Sequence, residues 1–161
     1  MMKRALFLDR DGVINKEICH LYRIEDFVFI EEIFKICHFY IDQGFIIIVI
    51  TNQAGIAKGL YTEEDFQKLT VWMIAEFAKK KITIEKVYYC PHHPDYTGIC
   101  DCRKPNPGMI FQAQKDFDID LGHSVLIGDK LSDIEAGLNA GIEHVYSIDD
   151  LLKRLNELPI P

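Results

Sequence analysis

The sequence predicts an α/β fold with a parallel sheet. Continuous apolar runs of the kind found in strands buried on both faces occur along the whole chain. Between them lie longer segments whose apolar residues repeat at helical spacing, and this alternation is typical of α/β proteins. The chain has 161 residues, which is the size of one domain, so we expect residues 1–161 to form a single domain.

Five apolar runs are predicted to be strands. In chain order they are ALFL at 5–8, FIIIVI at 45–50, KVYYC at 86–90, SVLI at 124–127 and HVYSI at 144–148. Three of these runs stop at a polar side chain: Asp9, Thr51 and, one glycine further on, Asp129. Ligands of such sheets bind beyond the carboxyl ends of the strands, so we expect these three residues to converge on a site there.

The predicted helices are supported by signals at their ends. Gly44 and Gly141 are suited to the position just after a helix, and TEED from Thr62 resembles a capping box. Pro107 is suited to the first position of a helix. The predicted helices are 31–44, 62–81, 107–117, 132–141 and 149–158.

Two aspartates two positions apart, Asp9 and Asp11, directly follow the first predicted strand. An exposed turn would explain a lone D-x-D-G, but other polar motifs follow the neighbouring strands. If Asp129 joins the pair, three carboxylates would raise one another's pKa unless a hard cation neutralised them. Mg²⁺ suits such an all-oxygen set and leaves positions for phosphate oxygens.

A metal-bound phosphate would give the two carboxylates of D-x-D separate tasks. One could attack phosphorus while the other protonates the leaving oxygen and then activates water. The transferred group also needs its charge stabilised. The hydroxyl of Thr51 and the ammonium of Lys104, which precedes the helix predicted to start at Pro107, are suited to that task.

With TN after the second strand, RKP before a helix and GDKLSD after a later strand, residues 4–141 resemble the phosphatases of the haloacid dehalogenase (HAD) superfamily. The resemblance implies a Rossmann-like sheet with helices on both faces. It implies that Asp9 is the nucleophile and Asp11 the general acid/base, while Thr51 and Lys104 stabilise the phosphoryl group. The implied magnesium ligands are Asp9, the main-chain carbonyl of Asp11 and Asp129.

Two further expectations concern the surroundings of this site. Asp133 would be a carboxylate that supports the metal ligands or, as an alternative, an acid that stabilises a helix start. The chain between Thr51 and Lys104 has no spare segment for a separate cap domain, so we expect an open site.

A second metal site is predicted in CPHHPDYTGICDCRKP. C-x-H followed by C-x-C suits a tetrahedral structural Zn²⁺, which would stiffen the loop before Lys104. Reduced core cysteines are the alternative, but the intervening PHHPDYTG is too polar for a core. His93 and Cys37 are expected outside the site, Cys37 as a core residue of a helix. The predicted zinc ligands are Cys90, His92, Cys100 and Cys102.

Within the superfamily, FLDRDGVIN, TNQAGIAKG, YYCPHHP, CDCRKPNPGM and GDKLSD resemble the D-glycero-D-manno-heptose 1,7-bisphosphate phosphatases. Members of this family remove the C7 phosphate in bacterial nucleotide-heptose and lipopolysaccharide biosynthesis. The resemblance implies a small phosphorylated sugar as substrate. The substrate-binding residues that it implicates are Glu17, His20, Asn52, Gln53 and Arg103.

Other readings of the sequence lead to different functions. The nearest is a histidinol-phosphate phosphatase or a phosphatase for another small phospho-sugar, which would share the catalytic residues. A phosphoacceptor receiver module is a remote alternative, because Asp11 would shorten the life of an aspartyl phosphate. A zinc-stabilised interaction module would explain the cysteines but not the strand-end acids.

Composition and charge exclude further classes of function. With 18 Lys and Arg against 25 Asp and Glu, the net charge is -7, which disfavours nucleic acid as a partner. The N-terminal MMKRALFLDRD has too short an apolar run for a signal peptide or a membrane span. We therefore expect a cytoplasmic protein, and we expect it to be a monomer.

Overall fold

Five parallel strands form one sheet in the computed structural model, which describes the backbone of residues 1–157 and the side chains of residues 1–154. The strands are β1 (Arg4–Leu8), β2 (Phe45–Asn52), β3 (Ile84–Cys90), β4 (Val125–Gly128) and β5 (His144–Ser147). Their order across the sheet is β3-β2-β1-β4-β5, and every pairing is parallel. The predicted α/β class is confirmed.

Seven α-helices connect the strands or follow them. They are α1 (Glu32–Asp42), α2 (Ala54–Ala57), α3 (Glu63–Lys79), α4 (Pro94–Thr97), α5 (Gly108–Phe117), α6 (Leu131–Asn139) and α7 (Ile148–Glu157). Five of these match the predicted helices to within two residues at each end, except that position 158 of the last prediction lies outside the described residues. The sequence analysis missed the short helices α2 and α4.

The predicted end signals hold with one correction. Thr62 and Asp65 form the capping box of α3, and Gly44 and Gly141 follow their helices with positive φ. Pro107, however, is the N-cap residue of α5 and not its first helical residue. Its carbonyl accepts the first helical hydrogen bond, from the N–H of Phe111, and the helical backbone begins at Gly108.

Each face of the sheet is covered by helices. Side chains of α1, α3 and α7 pack with Leu6, Leu8 and other strand residues on one face, whereas α5 and α6 pack with Ala5 and Phe7 on the opposite face. Alternate residues of β1 therefore belong to different cores. The buried Cys37 of α1 lies in the first core, as predicted.

The sequence predicts neither a separate cap domain nor a membrane-spanning segment. Among residues 1–157 no segment forms a separate cap domain over the carboxyl edge of the sheet, which agrees with the short connection predicted between Thr51 and Lys104. In the same part of the chain no helix is long and apolar enough to cross a membrane.

An aromatic cluster closes the core beside α3. Phe77 of α3 is fully buried, and its ring packs edge-on against Phe34 of α1 and Phe29, at centroid distances of 5.3 and 5.7 Å. Phe29 also packs against Trp72. This cluster holds α1 and α3 together on the face of the sheet that they share.

Replacing Phe77 with Ala is predicted to lower the free energy of unfolding by about 3–5 kcal/mol, because it removes a large buried side chain and leaves a cavity. Urea denaturation followed by circular dichroism measures the loss. Phe111→Ala is the matched control, since Phe111 lies on α5 with 45% of its surface exposed. Equal losses in the two variants would contradict this packing.

Candidate active site

The predicted strand-end residues converge at the carboxyl edge of the sheet. Asp9 follows β1, Thr51 lies near the end of β2 and Asp129 follows β4, and β1 is the neighbour of both other strands. Beside them is an open cavity of about 480 Å³. Its lining includes Asp9, Asp11, Glu17, His20, Asn52, Gln53, Lys58, Tyr61, Arg103, Lys104, Lys130 and Asp133.

Lys104 lies at the floor of this cavity between two carboxylates. Its Nζ is 3.0 Å from Oδ1 of Asp9 and 2.6 Å from Oδ1 of Asp133, and it also donates to the carbonyl of Ile50 at 3.0 Å. Burial alone would lower the pKa of Lys104, but the two carboxylates outweigh this effect and raise it. The lysine is therefore a fixed cation.

Asp133 has both of the roles that the sequence left open. One carboxylate oxygen contacts Lys104, while the other accepts hydrogen bonds from the N–H groups of Asp129 and Lys130, at 2.9 and 3.0 Å. These bonds fix the turn between β4 and α6. Burial raises the pKa of Asp133, but Lys104 and the two N–H donors outweigh it, so the pKa is lowered.

Asp9 is in a different electrostatic state. Burial raises its pKa to about 7, although Lys104 opposes the rise. Burial and the nearby Glu17 likewise raise the pKa of Asp129, to about 6. These carboxylates are costly to ionise together without a further cation.

The backbone brings the third carboxylate to the first two. Gly12 has a φ of +90°, and a Cβ at this position would lie 2.2 Å from Oδ2 of Asp129. The carboxylate of Asp129 therefore packs directly against the turn that contains Asp9 and Asp11. An oxygen-rich donor set that includes carboxylates with raised pKa values fits a hard divalent cation. The groups that could hold Mg²⁺ are the carboxylates of Asp9 and Asp129 and the main-chain carbonyl of Asp11.

The side chain of Asp11 is held from several directions. Nη2 of Arg10 lies 3.1 and 3.2 Å from its two oxygens, Nδ2 of Asn15 donates to Oδ1 at 3.1 Å, and Nε2 of Gln53 donates to Oδ2 at 3.2 Å. Arg10 is almost fully buried beneath the site. The burial of Arg10 was not predicted, because Arg10 is the middle residue of D-x-D and a charged residue at that position gives no sign of burial.

The predicted substrate-binding residues line the same cavity, and most of them make contacts with other parts of the chain. Glu17 pairs with Lys130 at 3.0 Å, whereas His20 lies in the adjoining loop with a φ of 57°. The carboxamide of Asn52 exchanges two hydrogen bonds with the main chain of Lys104. Arg103 donates to the carbonyl of His92 at 3.4 Å.

Two predicted polar residues are more enclosed than expected. Thr51 has no exposed surface and is not among the cavity-lining residues, and Gln53 is 2% exposed. Lys58, Tyr61 and Lys130 line the cavity without having been singled out from the sequence. They lie just beyond the TNQ and GD motifs, so their spacing from those motifs was the available signal.

The predicted zinc ligands are gathered in one cluster. Ligand atoms of Cys90, His92, Cys100 and Cys102 all lie within 4.8 Å of one another. Three thiols and an imidazole in this arrangement fit a tetrahedral Zn²⁺ with no open position. His93 lies outside the cluster and accepts a hydrogen bond from the N–H of Asp95 at the start of α4.

The cluster connects the end of β3 to the segment that carries Lys104. Cys90 is the last residue of β3, whereas Cys102 lies two residues before Lys104. The N–H of Gly108 donates to the carbonyl of Asp101, so the start of α5 packs against the same loop. The loop and α5 together determine where Lys104 enters the cavity.

The chain is similar to several curated proteins over most of its length. It is 49% identical over 150 residues to the D-glycero-alpha-D-manno-heptose-1,7-bisphosphate 7-phosphatase of Campylobacter jejuni, covering 93% of this chain and 85% of that one. The D-glycero-alpha-D-manno-heptose-1,7-bisphosphate 7-phosphatase of Burkholderia mallei is 51% identical over 155 residues, with 93% and 82% covered. The D-glycero-beta-D-manno-heptose-1,7-bisphosphate 7-phosphatase of Yersinia pestis is 42% identical over 143 residues, with 86% and 76% covered.

Solved structures and a family model agree with these relatives. A HAD-like phosphatase structure from Mesorhizobium loti has a TM-score of 0.83 at 32% identity, covering 87% of this chain and 69% of that one. The D,D-heptose 1,7-bisphosphate phosphatase of B. bronchiseptica, complexed with magnesium and phosphate, has a TM-score of 0.80 at 26% identity, with 98% and 88% covered. Residues 101–146 match the HAD-hydrolase-like family model. The chain therefore belongs to the D-glycero-D-manno-heptose-1,7-bisphosphate 7-phosphatase family of the HAD-like hydrolases.

Proposed function

We propose that this protein is a magnesium-dependent phosphatase that removes the C7 phosphate of D-glycero-D-manno-heptose 1,7-bisphosphate in bacterial nucleotide-heptose biosynthesis. The observation that carries the proposal is the placement of Asp9, Asp11 and Lys104 together at an open cavity, with Lys104 3.0 Å from Asp9. The named relatives supply the substrate.

The reaction proceeds in two steps through Asp9. A carboxylate oxygen of Asp9 bonds to phosphorus while the bond from phosphorus to the C7 oxygen breaks, and Asp11 gives its proton to that leaving oxygen. In the second step a water oxygen bonds to phosphorus and the bond to Asp9 breaks. Asp11 takes the proton of the water and is ready for another turnover.

The charge of the transferred group is stabilised by fixed groups of the chain. Lys104 supplies the ammonium, and Thr51 supplies a hydroxyl from the end of β2. Asp9, the carbonyl of Asp11 and Asp129 would hold Mg²⁺, which would neutralise the charge of the phosphate and of the clustered carboxylates. Asp133 holds Lys104 through one carboxylate oxygen and the turn that contains Asp129 through the other.

The distal part of the substrate has cationic neighbours. Arg103, Lys58 and Lys130 line the cavity beyond Lys104, and Glu17 and His20 line it on the side of the loop after β1. A bisphosphate carries a second anion that such cations attract. Because the cavity is open, the sugar can enter from solvent without the movement of a separate domain.

The relatives also favour one anomer. Identity to the alpha-specific proteins is 49% and 51%, whereas it is 42% to the beta-specific protein of Yersinia pestis. We therefore assign the α anomer as the preferred substrate. We also propose a single domain over residues 1–161, which is supported by one sheet that is covered on both faces, together with a monomeric state and a cytoplasmic location.

The substrate is tested by phosphate release from four compounds in the presence of Mg²⁺. The α and β anomers of heptose 1,7-bisphosphate are compared with histidinol phosphate and fructose 1,6-bisphosphate, and Asp9→Asn is the blank. We predict the highest kcat/KM for the α anomer and no release by Asp9→Asn. A preference for histidinol phosphate would contradict the substrate, and an active Asp9→Asn variant would contradict the nucleophile.

We propose that the cysteine cluster binds one structural zinc ion. Purified protein is predicted to contain about one Zn²⁺ per chain by elemental analysis, because the four ligands suit that ion. Cys100→Ser should lose zinc and become more sensitive to proteolysis between residues 90 and 104. Cys19→Ser is the matched control, since Cys19 lies outside the cluster and is exposed. Zinc-free wild-type protein would contradict the proposal.

Lys104→Met is predicted to abolish most activity and to lower the free energy of unfolding by about 3–5 kcal/mol at neutral pH, because two buried carboxylates lose their cation. Lys104 holds the pKa of Asp133 low, and that stabilisation is present at neutral pH but lost on acidification. Lys104→Met lacks this stabilisation at every pH. As the pH falls, protonation of its unpaired carboxylates removes the cost of burying their charges.

The difference in stability between wild type and Lys104→Met should therefore shrink as the pH falls below about 7, the value to which the pKa of Asp9 is already raised. Urea denaturation without added Mg²⁺ at neutral and at mildly acidic pH measures it. Lys68→Met is the control, because Lys68 and its partner Glu64 are exposed. A difference that does not depend on pH would contradict the buried ion pairs.

A further inference from the structure

The buried amide of Gln53 connects two residues of the proposed reaction. Its Nε2 donates to Oδ2 of Asp11 at 3.2 Å and to Oγ1 of Thr51 at 2.9 Å. The NH₂ end of the amide therefore faces Asp11 and Thr51, and both of its hydrogen bonds are donated.

The opposite end of the amide is fixed by Tyr61. The hydroxyl of Tyr61 donates a short hydrogen bond to Oε1 of Gln53. Burial raises the pKa of Tyr61 to about 12, with Arg10 opposing the rise, so the hydroxyl keeps its proton at neutral pH. Without this donor the amide could rotate and present its oxygen to Asp11, where two acceptors would repel each other.

Tyr61 itself has little freedom to move. Its ring stacks on Tyr22 at a centroid distance of 5.5 Å, with the planes 10° apart. On another side, a Cβ at Gly55 would lie 2.1 Å from the ring, so the backbone of α2 lies against it. The ring is 6% exposed. Packing therefore fixes the hydroxyl that orients Gln53.

The hydrogen bonds of Thr51 show what this orientation provides. Oγ1 of Thr51 accepts from Gln53, and the one acceptor described for its own proton is the carbonyl of Asn52 at a long 3.4 Å. That proton can turn to a phosphoryl oxygen. Gln53 thus joins the hydroxyl of Thr51 and the carboxylate of Asp11 through its two N–H donors.

We propose that Tyr61 and Gln53 are positioning residues: Tyr61 fixes the amide of Gln53, and Gln53 orients Asp11 and Thr51 for phosphoryl transfer. This inference rests on the proposed function. It gives Gln53 a task different from the substrate binding that the family resemblance implied. Although Tyr61 borders the cavity, its task in this inference is to act through Gln53.

A double-mutant cycle tests whether Tyr61 acts through Gln53. Tyr61→Phe keeps the ring and removes the hydroxyl, and Gln53→Met keeps the length of the side chain and removes the amide. We expect kcat/KM for the heptose bisphosphate to fall about five- to tenfold in Tyr61→Phe, the effect of one hydrogen bond. The fall should be larger in Gln53→Met, with no further fall in the double variant.

The leaving group provides a readout that a merely structural role would not move. Release of 4-nitrophenolate needs little help from a general acid, whereas release of a sugar hydroxyl needs the proton of Asp11. Tyr61→Phe should therefore lower kcat/KM more for the heptose bisphosphate than for 4-nitrophenyl phosphate. KM should change less than kcat, and the melting temperature should stay close to that of the wild type.

Tyr88→Phe is the matched control, because Tyr88 is buried and donates to Asp116 at 2.7 Å but does not line the cavity. Its ratio of the two kcat/KM values should equal that of the wild type. The inference would be overturned if the losses of kcat/KM in the two single variants multiply in the double variant, or if Tyr61→Phe loses the same factor for both substrates. Either result would leave the proposed phosphatase function unaffected. A wild-type protein that hydrolyses neither ester would overturn the proposed function first, and the inference with it.

Discussion

The buried ammonium of Lys104 is the constraint on which the site depends. Asp9 follows β1 and Asp133 lies in the first turn of α6, and burying their carboxylates so close together without a cation between them would be costly. Both carboxylates contact Lys104 near the carboxyl end of β2, where the ammonium also donates to the carbonyl of Ile50. One side chain thus joins the first strand, the second strand and α6 into a single floor for the cavity.

The rest of the fold places that ammonium. Asn52 clamps the main chain of Lys104 from the end of β2, while the cluster of three cysteines and His92 ties the preceding loop to β3. A polar loop with few apolar residues gains from a metal what it cannot gain from burial. If the proposed zinc ion is bound there, it would support catalysis from a distance, by fixing the loop that carries Lys104 and Arg103.

Strand-end residues were predictable from sequence, whereas contacts between distant segments were not. Apolar runs located Asp9, Thr51 and Asp129, and the spacing of the cysteines located their cluster. The contact of Tyr61 with Gln53 depends on the packing of a ring against Gly55, which has no sequence period. The predicted start of α5 at Pro107 was wrong by one residue. The carbonyl of Pro107 accepts the first helical hydrogen bond, but the helical backbone begins at the next residue.

The central claim is that Asp9 carries the phosphoryl group, and the most direct test is to find that group on the protein. Asp11→Asn is mixed with excess 4-nitrophenyl phosphate and Mg²⁺, quenched in acid within the first turnover, and digested for mass spectrometry. We predict a phosphoryl adduct on the peptide that contains Asp9, because 4-nitrophenolate leaves without help from an acid, whereas the variant lacks the base that hydrolyses the intermediate. Phosphate released without any adduct, or an adduct on another residue, would contradict it.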